Sequence, residues 1–443
     1  MVKIRSLREL QLKDVKKYGA WLKVQGAYVQ QPDPSVVGLE KDIVVASFDA
    51  SALYPTIEIL FNIGYETLKH RVYDTGIHDN FINLIYTISK NKGKLDIVKP
   101  QATKAFEIAL DNLIKNYTSR KSVGNKTEFT DVNKLMLMRS FEKIIDYLLD
   151  PNPNNTVENL FSPKTDQEYF LLRSNFYLLM ESIYWLSERN KGYCEFVVDW
   201  GYLPNQFHQK YQDKKIYIFT DIHSTKLNFK ILSLDEIIPY FEKYVINPYG
   251  VLFTKHEEYL SFNASENIKG LSRRRQVKNA MLALRGLYEA KNRLPENHLK
   301  LFLNKIKESK KDAKDSFGLN EQELFDIFMI VDKNHESSAK KKTSSLKDFE
   351  FLNTFIDDIS TMSDDQILED FFDWINLRVQ QLDNVQQGIK VSLNSGYGIL
   401  GLISYQYSSP LAGNSITTGG KIVGIKTFQQ IAVNAMHAHY KQN

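Results

Sequence analysis

The chain holds one cysteine, Cys194, among 443 residues. A single thiol makes no internal disulfide, so burial and hydrogen bonding must hold the fold, and a reducing compartment is expected. No apolar run reaches the roughly 20 residues that a membrane-crossing helix needs. The start, Met1-Val-Lys-Ile-Arg-Ser, has no apolar stretch of the secretory-leader kind, and a cytoplasmic protein with no membrane partner is expected. An excess of one charge sign is also missing. Lys and Arg number 57 against 53 Asp and Glu, a net charge of +4. So mild a basic excess fits a DNA partner without requiring one, because local patches decide nucleic-acid binding more than the sum does. There is no internal repeat. His437 and His439 are two apart, which puts them on different faces of a helix, so a zinc pair is excluded.

What is present is a globular composition, 43% hydrophobic, in a chain long enough for two or three subdomains. Pro32 and Pro34 exclude a regular central strand after Gly26-Ala27-Tyr28-Val29. Ile43–Phe48 reads as a short buried strand. Pro55 then turns the chain towards Ile57, Ile59 and Leu60. From about residue 70 to 225 apolar residues recur at mostly helical spacing, as from Tyr169 to Leu186, with a turn-rich loop over 150–164. Strand-like pieces follow at Ile216–Phe219 and Leu227–Ile231. The spacing predicts a long polar helix over 268–315 bearing Arg273, Arg274, Arg275 and Lys278, with a break near Pro295. A low-complexity basic loop covers 337–345. A second long helix is predicted over Asp364–Ser395, giving an antiparallel pair.

Two segments carry chemistry. In the first, Ser47–Ile57, Asp49 closes an apolar strand and Leu53-Tyr54-Pro55 forces a turn beside it. A lone strand-end aspartate is commonly a turn former. With an aromatic ring beside it, the carboxylate also fits phosphoryl transfer to a sugar hydroxyl, where carboxylates hold two Mg²⁺ ions about 4 Å apart. In the second, Lys390–Gly398, a lysine and an asparagine stand four residues apart, on one helix face and about 6 Å apart along the axis. Arg274 and Lys278 repeat that spacing on the other long helix. If the helices pair, these cations converge, and Arg and Lys on rigid helices suit a triphosphate. Taken singly, each pair reads as a solvated face. Asp357-Asp358 and Asp364-Asp365 read as solvated or capping pairs, and the Lys115–Lys121 segment as a solvated loop that could touch a DNA backbone.

Together these residues bear a resemblance. Ser47–Ile57 resembles motif A of family B DNA polymerases, Asp-x-x-Ser-Leu-Tyr-Pro-Ser, and Lys390–Gly398 resembles motif B, Lys-x-x-x-Asn-Ser-x-Tyr-Gly. The order of the motifs and the helical hairpin between them also match. Gly26–Val29 resembles the template-contacting segment before motif A, with Val24 where tyrosine is usual. Asn62–Leu68 resembles the stretch after motif A in replicative polymerases of large tailed phages, and Asn414–Ile425 the palm helix after motif B. The resemblance implies that Asp49 and the Ala50 carbonyl bind metal, with Asp49 catalytic. Leu53, Tyr54, Arg274, Lys278, Lys390 and Asn394 would bind the nucleotide, Tyr54 as the steric gate against ribose. Tyr397, Gly398, Gly26 and Ala27 would contact the base pair and DNA. Ala52 replaces the motif A serine, and Gly396 replaces the usual leucine, which should loosen the helix end by up to roughly 1 kcal/mol.

The family's third motif, Asp-Thr-Asp-Ser, does not occur. Tyr73-Asp74-Thr75-Gly76 mimics part of it but lies before the fingers. No exonuclease signature precedes motif A. The expectation is one piece of a split DNA-directed DNA polymerase that adds deoxynucleotides to a primer 3′-hydroxyl on primer–template DNA, in the bacterial host cytoplasm if phage-encoded. It would use two Mg²⁺ ions shared with a second polypeptide that carries the missing aspartates and the thumb, while a third chain could carry the exonuclease. The implied fold class is α+β: a partial palm of antiparallel sheet and helices, a long helical-hairpin fingers subdomain and a mainly helical insertion. The expected divisions are 1–69 palm with motif A, 70–225 insertion, 226–267 palm continuation, 268–398 fingers and 399–443 palm. The alternatives are a non-catalytic DNA-binding or scaffold remnant of a polymerase and a piece of a protein-primed relative.

Overall fold

The computed structural model describes residues 52–73, 75–119, 131–162, 167–188, 193–202, 204–223, 227–291, 295–309, 362–401 and 409–442. The expected strand Ile43–Phe48, the basic loop 337–345 and the pair Asp357-Asp358 lie outside these residues. The fold is α+β: helices with one small antiparallel sheet. The chain divides into two units, Met1–Asn267 with Ser395–Asn443, and Ile268–Asn394.

In the first unit, helix α1 (Leu53–Leu60) leads to strand β1 (Leu68–Tyr73). Helices α2 (Thr75–Ser89), α3 (Leu95–Ser119), α4 (Asp131–Leu149), α5 (Val157–Phe161), α6 (Gln167–Glu188), α7 (Glu195–Tyr202) and α8 (Pro204–Tyr211) follow. Strands β2 (Ile216–Thr220) and β3 (Asn228–Leu232), helix α9 (Leu234–Lys243) and strands β4 (Val245–Asn247) and β5 (Val251–Phe253) complete the sheet. Its order is β3-β2-β1-β5-β4, with every pairing antiparallel. The expected boundary at 225/226 falls between the paired strands β2 and β3. The loop expected over 150–164 contains the short helix α5, started by the Thr156 side chain, which accepts from the Asn159 N–H at 3.1 Å.

β2 is buried along its whole length, so both faces of the sheet centre are covered. One face meets the helical segment through Phe219 and Phe229, which pack on Phe176 and Phe161. The other carries Ile216, Ile218, Val72 and Leu252 against Phe196, Phe207 and Phe241. Arg71 locks β1 to the helical segment. It is fully buried, bonds Glu181 of α6 at 2.5 Å, donates to the Tyr249 carbonyl and lies over the rings of Tyr73, Tyr184 and Tyr249 at 4.4–4.7 Å. Burial opposes the guanidinium charge, but Glu181 and the surrounding phenols more than offset it, and the Arg71 pKa stands above its ordinary value.

Helix α10 (Phe262–Ala290) begins in the first unit and continues into the second, and α12 (Asp364–Gly401) returns. Helix α11 (Glu296–Ser309) lies between them, so the polar helix expected over 268–315 is interrupted before Pro295. The second unit closes on Val277, Met281, Leu284 and Leu287 of α10 against Phe371, Trp374, Ile375 and Val379 of α12, one apolar stripe on each helix. The helices run antiparallel. A Cβ on Gly270 would lie 2.5 Å from Leu393, and Arg274 reaches Gln386.

Helix α12 does not stop at Ser395. It runs through Gly396 and Gly398 to Gly401, because Leu393 and Leu400 are buried and Tyr397 packs against the core. Tertiary burial outweighs the weak helix propensity of the two glycines.

The last helix, α13 (Pro410–Gln442), backs α1. Gly419 makes the approach possible, since a Cβ there would lie 2.8 Å from Ile57 and 3.1 Å from Phe61. Gly419→Val is expected to cost about 2 kcal/mol through overpacking. Gly424→Ala, in open space on the same helix, should gain up to about 1 kcal/mol. Urea denaturation checks both, and equal effects would remove the close approach as the cause.

Candidate functional site

Helix α1 starts under strain. Ala52, its N-cap, has φ 54 and ψ 48, a left-handed conformation, and offers no side-chain cap. Its carbonyl accepts from the Thr56 N–H at 3.0 Å and the Thr56 hydroxyl at 2.9 Å. An alanine held in that region costs about 1–2 kcal/mol, and such strain clusters where a backbone must be aimed. It sits directly before Leu53 and Tyr54.

The far end of α1 is fixed by Asn62, also left-handed at φ 52, the conformation that commonly ends helices. Its buried amide donates to the Thr254 and Tyr259 carbonyls at 2.8 and 2.7 Å, and its oxygen accepts from the Ser261 N–H at 2.8 Å. Asn62 thus ties α1 to the segment leading into α10.

On this frame the structure brings together Leu53, Tyr54 and Tyr397. The Tyr54 and Tyr397 rings lie 4.7 Å apart, tilted by 44°. Gly420 of α13 backs them, with Leu53 and Tyr54 in van der Waals range of the Cβ it lacks. Burial raises the Tyr54 pKa, and burial with the neighbouring Tyr54 pushes Tyr397 up to about 12. Both rings therefore stay neutral and present flat faces and hydroxyls. Lys421, next along α13, is half-buried, and burial lowers its pKa.

One helical turn from Tyr54 stands a residue that sequence reading passed over. Glu58 is completely buried. Burial pushes its carboxyl up to about 7, partly offset by the Asn267 amide, which donates to Oε2 at 2.8 Å. Among the described residues its Oε1 has no hydrogen-bond partner. The available signal was a carboxylate at a buried position of an apolar helix, between Ile57 and Ile59.

The cationic residues belong to the second unit. Arg274 is half-buried and donates to Gln386 at 3.4 Å, while Lys278, Lys390 and Asn394 are exposed. Lys390 lies along α12 between the Gly270–Leu393 and Arg274–Gln386 contacts, and Lys278 lies one turn beyond Arg274 on α10. Gly398 is exposed on α12. Asp49, Ala50, Gly26 and Ala27 lie outside the described residues.

No family model, curated protein or solved structure matches the chain.

The implied magnesium ligands, Asp49 and the Ala50 carbonyl, lie outside the described residues, and among the described residues no group of three or more His, Cys, Asp or Glu could hold a metal ion. The described residues can bind and orient. A pair of neutral phenol rings can stack on or exclude part of a planar or sugar-bearing ligand, and exposed cations on a rigid helix pair can hold phosphates. Among the described residues, no helix is long and apolar enough to cross a membrane.

Proposed function

We propose that this chain is a subunit of a DNA-directed DNA polymerase of the family B kind, adding deoxynucleotides to a primer 3′-hydroxyl on template DNA. The observation that carries this reading is the Tyr54–Tyr397 contact. It joins the two motif-like segments, far apart in sequence, ring to ring at 4.7 Å. The first unit would supply the palm, with a helical segment inserted after motif A, and the second unit the fingers.

The protein's own part in this reaction is binding and orientation. Arg274, Lys278 and Lys390 would bind the triphosphate, with Asn394 beside it, and the Leu53 and Tyr54 amides would hold phosphate and sugar. Tyr397 and Gly398 would line the nascent pair, with Gly26 and Ala27 on the template. Two Mg²⁺ ions, on Asp49, the Ala50 carbonyl and carboxylates of a partner polypeptide, would supply activation of the hydroxyl and charge neutralisation. That partner would also bring the thumb, and a third chain could bring an exonuclease.

The test is primer extension by the full chain co-purified with its native partners. Template-directed extension by the complex, with little by the chain alone, is the expected result. A complex inert on every primer–template would sink the reading, and robust synthesis by the chain alone would remove the partner from it. Within an active complex, Tyr54→Val should open the sugar side. Ribonucleotide insertion is expected to gain about 10²-fold or more relative to deoxynucleotide, a discrimination built on sterics. Single-insertion kcat/KM for matched pairs measures it, and an unchanged ratio would take Tyr54 out of the sugar site.

A further inference from the structure

Glu58 is a costly residue where it stands. A buried carboxyl without a cation is destabilising unless its oxygens are satisfied, and among the described residues only Oε2 has a partner. The residues around it are informative. Asn267, its hydrogen-bond partner, is the last residue of the first unit before the chain passes into the second, and the chain re-enters at Ser395. The Cβ that Gly396 lacks would lie 3.9 Å from the same Oε2. Tyr54, one turn back on the same face of α1, meets the Tyr397 ring. Both passages of the chain therefore converge on one side chain of the helix that carries Tyr54.

We propose that Glu58 is a positioning residue: it clamps Asn267 on the outgoing passage and backs Gly396 on the returning one, and so fixes where Tyr397 stands against Tyr54. This role rests on the polymerase reading only for its effect on nucleotide choice. The clamp itself is a property of the fold. The hydrogen bond needs only an acceptor at Oε2, so it works with the carboxyl protonated. Ionisation would put an unpaired charge beside Gly396. On the neighbouring stretches of α1 and α12, burial keeps the phenols of Tyr54 and Tyr397 neutral. Asn267 on α10 is neutral, and burial rather than a neighbouring charge is the main cause of the Glu58 shift. The folded carboxyl, near pH 7, sits above its ordinary 4.5. Its contribution is therefore whole below about pH 4.5, declines as pH rises, and is gone above about pH 7.

Amide hydrogen exchange on the full chain tests this without requiring activity. Glu58→Leu keeps volume and removes both oxygens, and Glu58→Gln keeps an acceptor for Asn267. In the leucine variant, exchange at residues 395–400 should quicken by about tenfold relative to β1, while the glutamine variant stays within about twofold of wild type. Equal protection in all three, or equal loosening in both variants, overturns the proposal. Should the leucine variant not fold, the comparison is wild type against glutamine between about pH 6 and pH 8.5. Loosening of 395–400 in wild type alone supports the clamp, and identical behaviour overturns it. In an active complex the leucine variant should lose about tenfold in deoxy-over-ribo preference, rescued by glutamine. A complex without polymerase activity would end the functional reading and leave the exchange result standing.

Discussion

Asp49→Ala should lower primer extension by the assembled complex at least about a thousandfold, beyond the ten- to hundredfold typical when an outer-shell partner of a metal is lost. Asp49 closes the predicted apolar strand and stands four residues before Leu53 in the sequence. Under the proposed function it is the carboxylate this chain contributes to the metals, and no neutral side chain replaces that charge. Assembly and DNA binding should survive, because under the proposed function Arg274, Lys278 and Lys390 bind the phosphates and are unchanged in this variant. The measurement pairs extension rate with co-purification and primer–template affinity on the same preparation. Activity within about tenfold of wild type, from an intact complex, would remove Asp49 from the site.

Arg71→Leu should destabilise the first unit by about 3–5 kcal/mol, the loss expected when one partner of a buried ion pair is removed. Arg71 is wholly buried and Glu181 nearly so, 7% exposed, so the orphaned carboxylate would have no water to turn to. The same carboxylate also accepts from the Tyr73 hydroxyl at 3.0 Å, and Gly250, at φ 88, leaves the space that the guanidinium occupies. Glu181→Leu alone should cost a similar amount by stranding the cation. The double replacement should cost less than the two singles together by about 2 kcal/mol or more, since two apolar groups leave no charge unpaired. Urea unfolding of the four proteins gives the cycle. Single variants that each lose under about 1 kcal/mol would mean that the pair is not buried in solution.

The local pattern was readable where periodicity is strong. Tyr169–Leu186 became α6, and the apolar runs near 216 and 228 became neighbouring antiparallel strands, because alternation and helical spacing record which side chains must leave water. Helix ends were less legible. Gly396 and Gly398 suggested a stop after Ser395, and the helix continues because packing of Leu393, Tyr397 and Leu400 is non-local. Tyr54 and Tyr397 could be singled out in the sequence, but not the residues that support them. Asn62, Gly419 and Gly420 mean little in sequence, since each matters only through a neighbour more than a hundred residues away. Glu58 was legible only as an oddity, an acid on an apolar helix.

The sequence by itself determined that the chain has no internal disulfide, its lack of membrane-length apolar runs, the alternation of helices and strands, and the two motif-like segments that suggest nucleotidyl transfer. These follow from side-chain chemistry and short-range spacing, which are written residue by residue. Only the tertiary structure decided that Tyr54 meets Tyr397, that an arginine lies buried among three tyrosines, and that a carboxyl near both passages of the chain carries its proton up to about pH 7. Desolvation and ring contact depend on what the rest of the chain places around a group, and no local window of sequence contains that.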